Sequence, residues 1–526
     1  MHAISASALR LLGDFGSQDL SNLAWSVATR CFSDTPLLAS LSAAARSRIG
    51  DFSSQGLGNT AWSFAVLSYR APPLLDAIAS AARAKMPDFR AQELANTAWA
   101  VAPLEFRNYP LLTAISSAAI ARRCLSFASR ELAGMSWSFA TLKIQDKPLC
   151  ASISAASIPQ IRHFKAHELS NLAWAYATLG CDDAPLLNAI SAAAISKLRG
   201  EGPPCEAVDV LSVVEAFALA DRLDDTLLHA AEDSLRRRGS VADACGGRPL
   251  PCAAALSRQT RGGGEEPCIL TAGLSVMALW KPPGWIVSVE DGAPGSGAGV
   301  GGFGSVGSLQ LQEWVAAQFA DRWPIAADAA ASRGLLQRLD RGTSGAVLWA
   351  GSYSAYYMAR LQFAARRVRK AYLLLCRGLL PVAPRLFQQP LLEVPAAGGR
   401  AAEARVSPLG RPARTELAAV AHAAGGPTEG LSLAEVLLHT GRLHQIRAHL
   451  ADSGHPLVGD RVYGSGTRGV SSCPRVFLHA AEAGLDIGEG PLLVTVPIPQ
   501  DLRDVVEDIA LADRRSQALL QGCVDN

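Results

Sequence analysis

Asp340 stands in the stretch RLDRGTSG, and residues 331–380 hold nine arginines and lysines but no other acid. A carboxylate can serve as a nucleophile or a general base, and it stabilises positive charge that develops beside it. The surrounding cations draw phosphate groups to the same place. The plain alternative is a loop or N-cap aspartate paired with Arg338 or Arg341. Tyr372, in KAYLLLCRG, offers a flat ring that is otherwise an ordinary strand aromatic. Arg442 adds a cation in TGRLHQIR, where it could clamp a phosphate. His444, His449, His455 and His479 read as hydrogen-bonded scaffolding, and without spaced cysteine pairs they argue against a metal site.

The elements that must carry these residues lie in the second half. LSVMALWKPPGWIVSV reads as a strand with KPPG in its middle, and LLQRLDRGTSGAVLWAG as strand, loop, strand. SYSAYYMARLQFAARRV reads as a helix, and KAYLLLCRG and LSLAEVLLHT as strands. GRLHQIRAHLADSGHPLVGDRVYG, FLHAAEAGL and VTVPIPQDLRDVV follow. Strands and helices mix without strict alternation, which indicates an α+β domain and not a doubly wound sheet.

RLDRGTSG, GRLHQIRAHLADSGHPLVGDRVYG and FLHA occur in that order, with KPPG, KAY and RPART. From about Leu274 to about Val505 this pattern resembles the RluA-type pseudouridine synthases, which isomerise uridine in structured RNA. The resemblance implies their fold, with a mixed, mainly antiparallel sheet. It makes Asp340 the catalytic aspartate, Tyr372 the pocket tyrosine, and Arg442 the basic residue that pairs with the carboxylate. Arg338, Arg341, Thr343, Lys370, His444, Gln445, Ile446 and Arg447 become candidate substrate contacts. Arg338 would fill the space left by a flipped base, and Ile446 would form an apolar wall. Two positions depart from the family: Gln337 stands where His precedes RLD, and Leu443 where Thr or Lys is usual. The small RNA-binding domain that often precedes this family is not apparent.

The implied reaction makes physical sense of the residues. A C–N glycosidic bond breaks, the uracil turns, and a C–C bond forms, with no cofactor, redox step or metal. A base inside folded RNA must first leave its stack, and a flat aromatic can hold it while it turns.

The first half is a repeat array. LSNLAWSVAT, LGNTAWSFAV, LANTAWAVAP, LAGMSWSFAT and LSNLAWAYAT align on Trp25, Trp62, Trp99, Trp137 and Trp174, at spacings of 37, 37, 38 and 37. Phe recurs ten residues before each Trp, Leu five before, Ala three after and Pro eleven after. Each unit reads as a helical hairpin whose second helix starts at the proline. One hairpin cannot bury its apolar face alone, so the units must stack into an α-solenoid. The Trp, Phe, Leu and Ala registers are expected in its core. LSVVEAFALADRLDDTLLHAAEDSLRRRG reads as a sixth, degenerate unit, with Ala216 in place of Trp. HAISASALRLLGDF resembles a second helix, so part of the array can lie upstream of Met1, as can a cleavable leader.

The array resembles octotricopeptide-type and related Trp-containing repeats of organellar RNA-binding proteins. Candidate RNA-reading positions lie seven before each Trp: Gln18, Gln55, Gln92, Arg130 and His167. A solvated helix start is the alternative at these positions. Residues 1–200 carry 18 Lys and Arg against 13 Asp and Glu, which permits RNA binding without demanding it. The repeat type points to a chloroplast or mitochondrion, with the cytoplasm as the alternative and secretion not expected.

The expected organisation of the multidomain chain is an α-helical repeat domain over 1–240, a linker over 241–268, a synthase domain over 269–510 and a tail over 511–526. Residues 291–308 form a glycine-rich insertion. Its GxGxxG at Gly297, Gly299 and Gly302 is not a nucleotide site, because no helix opens at its last glycine. The 526 residues carry a net charge of +2, which names no partner. Mean hydropathy is +0.16, yet no run of about 18 apolar residues suits a membrane span. Eleven scattered cysteines without a CxxC pair read as free thiols in a reducing compartment. Two other readings stay open: a non-catalytic RNA-binding protein with a relic synthase domain, and a synthase tethered by a protein-docking solenoid. The oligomeric state is not legible.

Overall fold

The computed structural model describes residues 2–201, 205–246, 264–287, 309–394, 402–424, 430–464 and 473–507. The glycine-rich insertion, the C-terminal tail and most of the expected linker lie outside these residues. The chain forms two compact units, Met1–Ala231 and Glu232–Asn526.

The first unit is built of helices, the last of which, α13, extends beyond the unit's final residue, Ala231. In chain order they are α1 (His2–Leu11), α2 (Ser17–Thr29), α3 (Thr35–Ser47), α4 (Ser54–Val66), α5 (Pro72–Ala84), α6 (Ala91–Val101), α7 (Tyr109–Ala121), α8 (Ser129–Thr141), α9 (Lys147–Ser157), α10 (Ala166–Leu179), α11 (Ala184–Leu198), α12 (Ala207–Leu219) and α13 (Asp225–Gly246). From α2 onward they pair into hairpins, and α1 stands as the lone second helix that the sequence suggests. The first helix of each hairpin packs on the first helix of the next, from α2 through α12. Helix α13 continues to Gly246, past the boundary expected at 240.

Local chemistry sets the helix ends. The carboxylates of Asp19, Glu93, Glu131 and Glu168 each accept the backbone N–H three residues earlier, at 2.7–3.0 Å. That satisfies an orphan donor and complements the helix dipole. Asp34, Asn108, Asp146 and Asp183 cap the second helices just before their prolines.

A further register joins successive units. Arg48, Lys85, Arg122, Gln160 and Lys197 close the second helices and reach back to carbonyls of the preceding turn. Arg48 Nη2 donates to Gly13 O at 2.7 Å, and Lys85 Nζ to Gly50 O and Phe52 O at 2.7 and 2.6 Å. Arg122 donates to Phe89 O and Pro87 O. Gln160 reaches Phe127 O, and Lys197 reaches Arg162 O, each at 3.2 Å.

The Leu register is buried in every unit, and so are the residues just before each Trp. The tryptophans depart from expectation. Trp25 is 41% exposed and the other four are only half-buried. At 100° per residue the Leu and Ala positions centre the buried arc, and the Trp falls at its edge.

The second unit is a mixed sheet with helices. Its elements are β1 (Cys268–Ala272), β2 (Val276–Lys281), α14 (Leu311–Phe319), β3 (Ser344–Ala350), α15 (Tyr353–Ala364), β4 (Arg369–Arg377), β5 (Arg385–Phe387), β6 (Leu391–Val394), β7 (Glu403–Val406), β8 (Thr415–Ala424), β9 (Gly430–Leu438), α16 (Gln445–Asp452), β10 (Leu478–Asp486), β11 (Pro491–Thr495) and α17 (Gln500–Glu507). The large sheet runs β1-β2-β3-β10-β4-β9-β8-β5, with β11 also on β10 and only β3–β10 parallel. Strands β6 and β7 form a separate pair.

Both faces of the sheet are covered. Tyr372, Leu374 and Cys376 of β4 enter one core with β2, β3 and α14, while Leu373 and Leu375 meet Leu502, Val505 and Val506 of α17 on the other. This explains the unbroken apolar run in KAYLLLCRG. Two expected strand limits shift. β2 stops at Lys281, because Pro282 and Pro283 have no N–H for the ladder. The strand expected before RLD reduces to a single bridge from Leu335 to Trp349. Among the described residues, no helix is long and apolar enough to cross a membrane.

Candidate active site

Strand β10 lies between β3 and β4, and this brings the two ends of the sequence pattern together. Ser344, which opens β3, is in register with His479, and the adjacent Ala480 is in register with Tyr372. Gly345 permits the close approach: a Cβ there would sit 2.3 Å from Ala480 O, and its φ is +133°. Asp340 lies in the loop that leads into β3, where its carbonyl accepts Thr343 N–H at 3.0 Å.

The guanidinium that meets this carboxylate belongs to Arg447. Its Nη1 donates to Asp340 Oδ2 at 3.0 Å, while Nε and Nη2 donate to Asp460 Oδ2 and Oδ1 at 2.7 and 2.8 Å. Asp460 is fixed in turn by the N–H groups of Val462 and Tyr463. The Tyr463 ring lies under the guanidinium, 5.2 Å from centroid to Cζ. The Asp340 side chain keeps 23% exposure against 8% for Arg447, so the acid stays reachable. Burial opposes the charge on Arg447, but the hydrogen bonds and charge of Asp460, together with Asp340, push its pKa up. Burial also opposes the charge on Asp460, yet Arg447 and two backbone N–H groups hold its carboxyl below the ordinary range.

The arginine expected to pair with Asp340 was Arg442, and the structure gives that contact to Arg447 instead. Arg442 Nε donates to Pro412 O at 3.2 Å, and its backbone N–H to Gln445 Oε1 at 3.0 Å. The reason is local. His444 takes a left-handed conformation, φ 48°, immediately before α16, so the first turn of that helix delivers Arg447 to the acid. The charge of Arg442, after burial, helps to lower the pKa of Lys370.

The other expected residues separate into two groups. His444 Nε2 lies 3.8 Å from Asp340 Oδ2, and its Nδ1 is 3.2 Å from the Tyr463 hydroxyl. Burial lowers its pKa, with Asp340 acting in the opposite direction. Tyr372 is nearly buried, and burial followed by the Asp340 charge raises its phenol pKa. Lys370 shares its face of β4, and burial followed by Arg442 takes its pKa down to about 8. Arg338 and Arg341 flank the acid on exposed positions. Thr343 is buried, and its hydroxyl has no hydrogen-bond partner among the described residues.

Gln445 and Ile446 serve the frame. Gln445 accepts from Thr440 Oγ1 and donates to Thr415 Oγ1 and Arg414 O. Ile446 is part of the main core. The histidine scaffolding is present: His449 bonds Thr415 and Gln389 O, His455 bonds Arg377 O, and His479 bonds Ser344 and Val496 O. Val496 O can only accept, so His479 Nε2 carries the hydrogen and Nδ1 accepts from Ser344. Complete burial takes the His479 pKa down to about 4.

Sequence reasoning missed three supports. Lys281 of KPPG is fully buried, and its Nζ donates to Pro282 O, Trp285 O and, at 3.5 Å, Arg341 O. Burial takes its pKa down to about 7, against the pull of Asp340. Asp460 was visible in the GDR of the long motif, but its partner was not. Arg475 is bidentate to Asp501 at 2.6 and 3.2 Å and donates to Gly342 O and Ser344 Oγ, each at 2.9 Å. It ties α17 to the loop that carries Asp340. At the Gln-for-His departure, Gln337 Nε2 donates to Ala346 O at 3.1 Å, while its buried Oε1 has no hydrogen-bond partner among the described residues.

The arrangement is a reachable carboxylate held by a fixed guanidinium, beside a buried phenol and exposed arginines. Residues 275–452 match the family model described as RNA pseudouridylate synthase. An uncharacterized RNA pseudouridine synthase of Chloroflexus aurantiacus is 40% identical over 186 residues, covering 35% of this chain and 55% of that protein. One of Bacillus subtilis is 34% identical over 172 residues, covering 32% and 54%. The ribosomal large subunit pseudouridine synthase C of Vibrio vulnificus is 32% identical over 186 residues, covering 33% and 55%. The chain thus spans about half the length of the curated relatives it matches. Within the second half, residues 275–452 are thus similar to the RNA pseudouridylate synthase family.

Proposed function

We propose that this chain is an RNA pseudouridine synthase, an isomerase that converts uridine in RNA to pseudouridine. The observation that carries the reading is the Asp340–Arg447 pair at 3.0 Å, beside Tyr372, inside the matched segment. The flipped nucleotide enters beside Asp340, and the Tyr372 ring holds the uracil. Asp340 acts as nucleophile or general base while the C1′–N1 bond breaks. The base turns, C5 bonds to C1′, the C5 hydrogen leaves as a proton, and N1, which kept the electron pair of the broken bond, takes one up. Arg447 holds the carboxylate in position throughout, and Arg338 fills the vacated place in the RNA. Ribosomal RNA is one substrate class to examine, given the relative from Vibrio vulnificus.

The helical array assists by contacting RNA, as its resemblance to octotricopeptide-type repeats suggests. The exposure of Gln18, Gln55, Gln92, Arg130 and His167 is compatible with that role. The same resemblance supports a chloroplast or mitochondrial location. The test is Asp340→Asn, which keeps size and removes the charge. Tritium release from RNA containing 5-tritiated uridine should cease while RNA affinity stays within a few-fold. Turnover within tenfold of the parent would sink the assignment.

A further inference from the structure

The repeated tryptophans form a row across the first helices of the hairpins. The rings of Trp25 and Trp62 lie 4.4 Å apart between centroids at 30°, and those of Trp99 and Trp137 lie 6.4 Å apart at 26°. Lys143 Nζ stands 5.9 Å over the ring of Trp174. Each ring is at least partly exposed, in an array whose core is already filled by the Leu and Ala registers. An aliphatic side chain would cover the same strip of helix without presenting a flat aromatic face to water. Five repetitions at one register leave an aromatic strip partly open to water.

The neighbours on that face are chosen consistently. Positions seven and three before each Trp lie within about 60° of it around the helix. They hold Gln18, Gln55, Gln92, Arg130 and His167, then Asn22, Asn59, Asn96, Gly134 and Asn171. None of these is buried. In the first unit the two positions touch, Gln18 Nε2 donating to Asn22 Oδ1 at 3.0 Å. No acid occurs at any of these places. The nearby carboxylates of Asp19, Glu93, Glu131 and Glu168 are turned back onto their own helix starts. Lys143 stands over the row and Arg130 lies on it; burial lowers the Lys143 pKa, and the charge of Arg107 acts in the same direction.

From this face we infer that the tryptophan row is a stacking platform for single-stranded RNA. Bases stack on the parts of the aromatic rings that the ring pairings leave exposed, carboxamides meet the base edges, and the cations meet phosphate. Stacking on aromatics tolerates any base, while Asn and Gln carry both donors and acceptors for base edges. The absence of acids along the row suits a polyanion better than a basic peptide. The inference rests on the proposed function for RNA as the substrate class. It adds which residues hold the strand.

The test uses the full chain with Trp99→Leu and Trp137→Leu together, and Trp99→Phe with Trp137→Phe as a second variant. The probe is a fluorescently labelled single-stranded RNA of about 15 nucleotides, compared with the same sequence annealed to its complement. The Leu variant should bind the single strand at least about tenfold more weakly than the parent. The Phe variant should recover part of that loss, which a packing role would not do for RNA affinity at unchanged melting temperature. Duplex affinity should stay at the parental value. So should the slope of log Kd against log salt, because no charge is removed. Single-strand affinity within about twofold of the parent in both variants overturns the inference, and leaves the row to a protein partner. Uridine isomerisation in a minimal stem-loop is measured on the same samples. A parent that isomerises nothing rejects the proposed function alone, while the binding comparison decides the platform separately.

Discussion

Asp460 grips Arg447 through both carboxylate oxygens, at 2.7 and 2.8 Å, and leaves one nitrogen of the guanidinium for Asp340. The fork of an arginine has a fixed shape, so fixing one side aims the other. The acid at the centre of the site therefore takes its position from a carboxylate 120 residues further along the chain.

This geometry predicts an order among substitutions. Arg447→Lys keeps the charge but cannot bridge two carboxylates, and should lower kcat by at least about 100-fold. Asp460→Asn keeps one acceptor and should lower kcat by about tenfold with KM near the parental value. Single-turnover rates with saturating RNA check both. An Asp460→Asn variant that raises KM alone would assign Asp460 to RNA binding.

Arg475 and Asp501 should be felt at the catalytic loop. Asp501→Asn removes the charge that holds Arg475 against Gly342 O and Ser344 Oγ. A loss of about 1–2 kcal/mol of stability is expected, with hydrogen exchange rising at residues 340–344 as well as in α17. Denaturant unfolding and exchange mass spectrometry read the two effects. Exchange confined to α17 would remove the link.

Lys281 should make the second unit more stable as pH rises through the neutral range. Its pKa is about 7 when folded against an ordinary 10.5, so between these values the unfolded chain holds a proton that the folded one does not. Stability then increases with pH, by at most about 1.4 kcal/mol per unit for one group. Urea midpoints at neutral and mildly alkaline pH, compared with Lys281→Met, isolate the slope. Equal slopes for parent and variant would contradict the assignment, whatever the change in level.

Two substitutions in the same helix should separate core from surface. Leu132→Ala removes a fully buried side chain and should cost about 3–5 kcal/mol. Trp137→Ala removes a larger but half-exposed one and should cost less, about 2 kcal/mol. Thermal unfolding of the full chain ranks them, and the reverse order would return the tryptophans to the core.

Much of this was legible because it is local or periodic. The 37-residue registers specify hairpins, and the recurring prolines mark where the second helices begin. Asp340 and Tyr372 could be named from short motifs. What the sequence hid is contact at long range. Arg442 and Arg447 lie in the same seven-residue motif, and only the left-handed turn at His444 selects between them. Asp460, Arg475 and Asp501 are ordinary charged residues until the sheet brings strands β3, β10 and β4 side by side. The outward edge of the tryptophans was readable from a helical wheel, but a large aromatic repeated in register is easily taken for core.

The basic or amide side chain that closes each second helix reaches the same carbonyl turn one unit back, five times over. Five successive joints in the array thus share one kind of contact. A duplication or in-frame loss of one repeat would recreate an existing contact and leave no broken one behind. The array is therefore modular in its joints: adding or removing one aromatic rung leaves the kind of contact between neighbouring units unchanged.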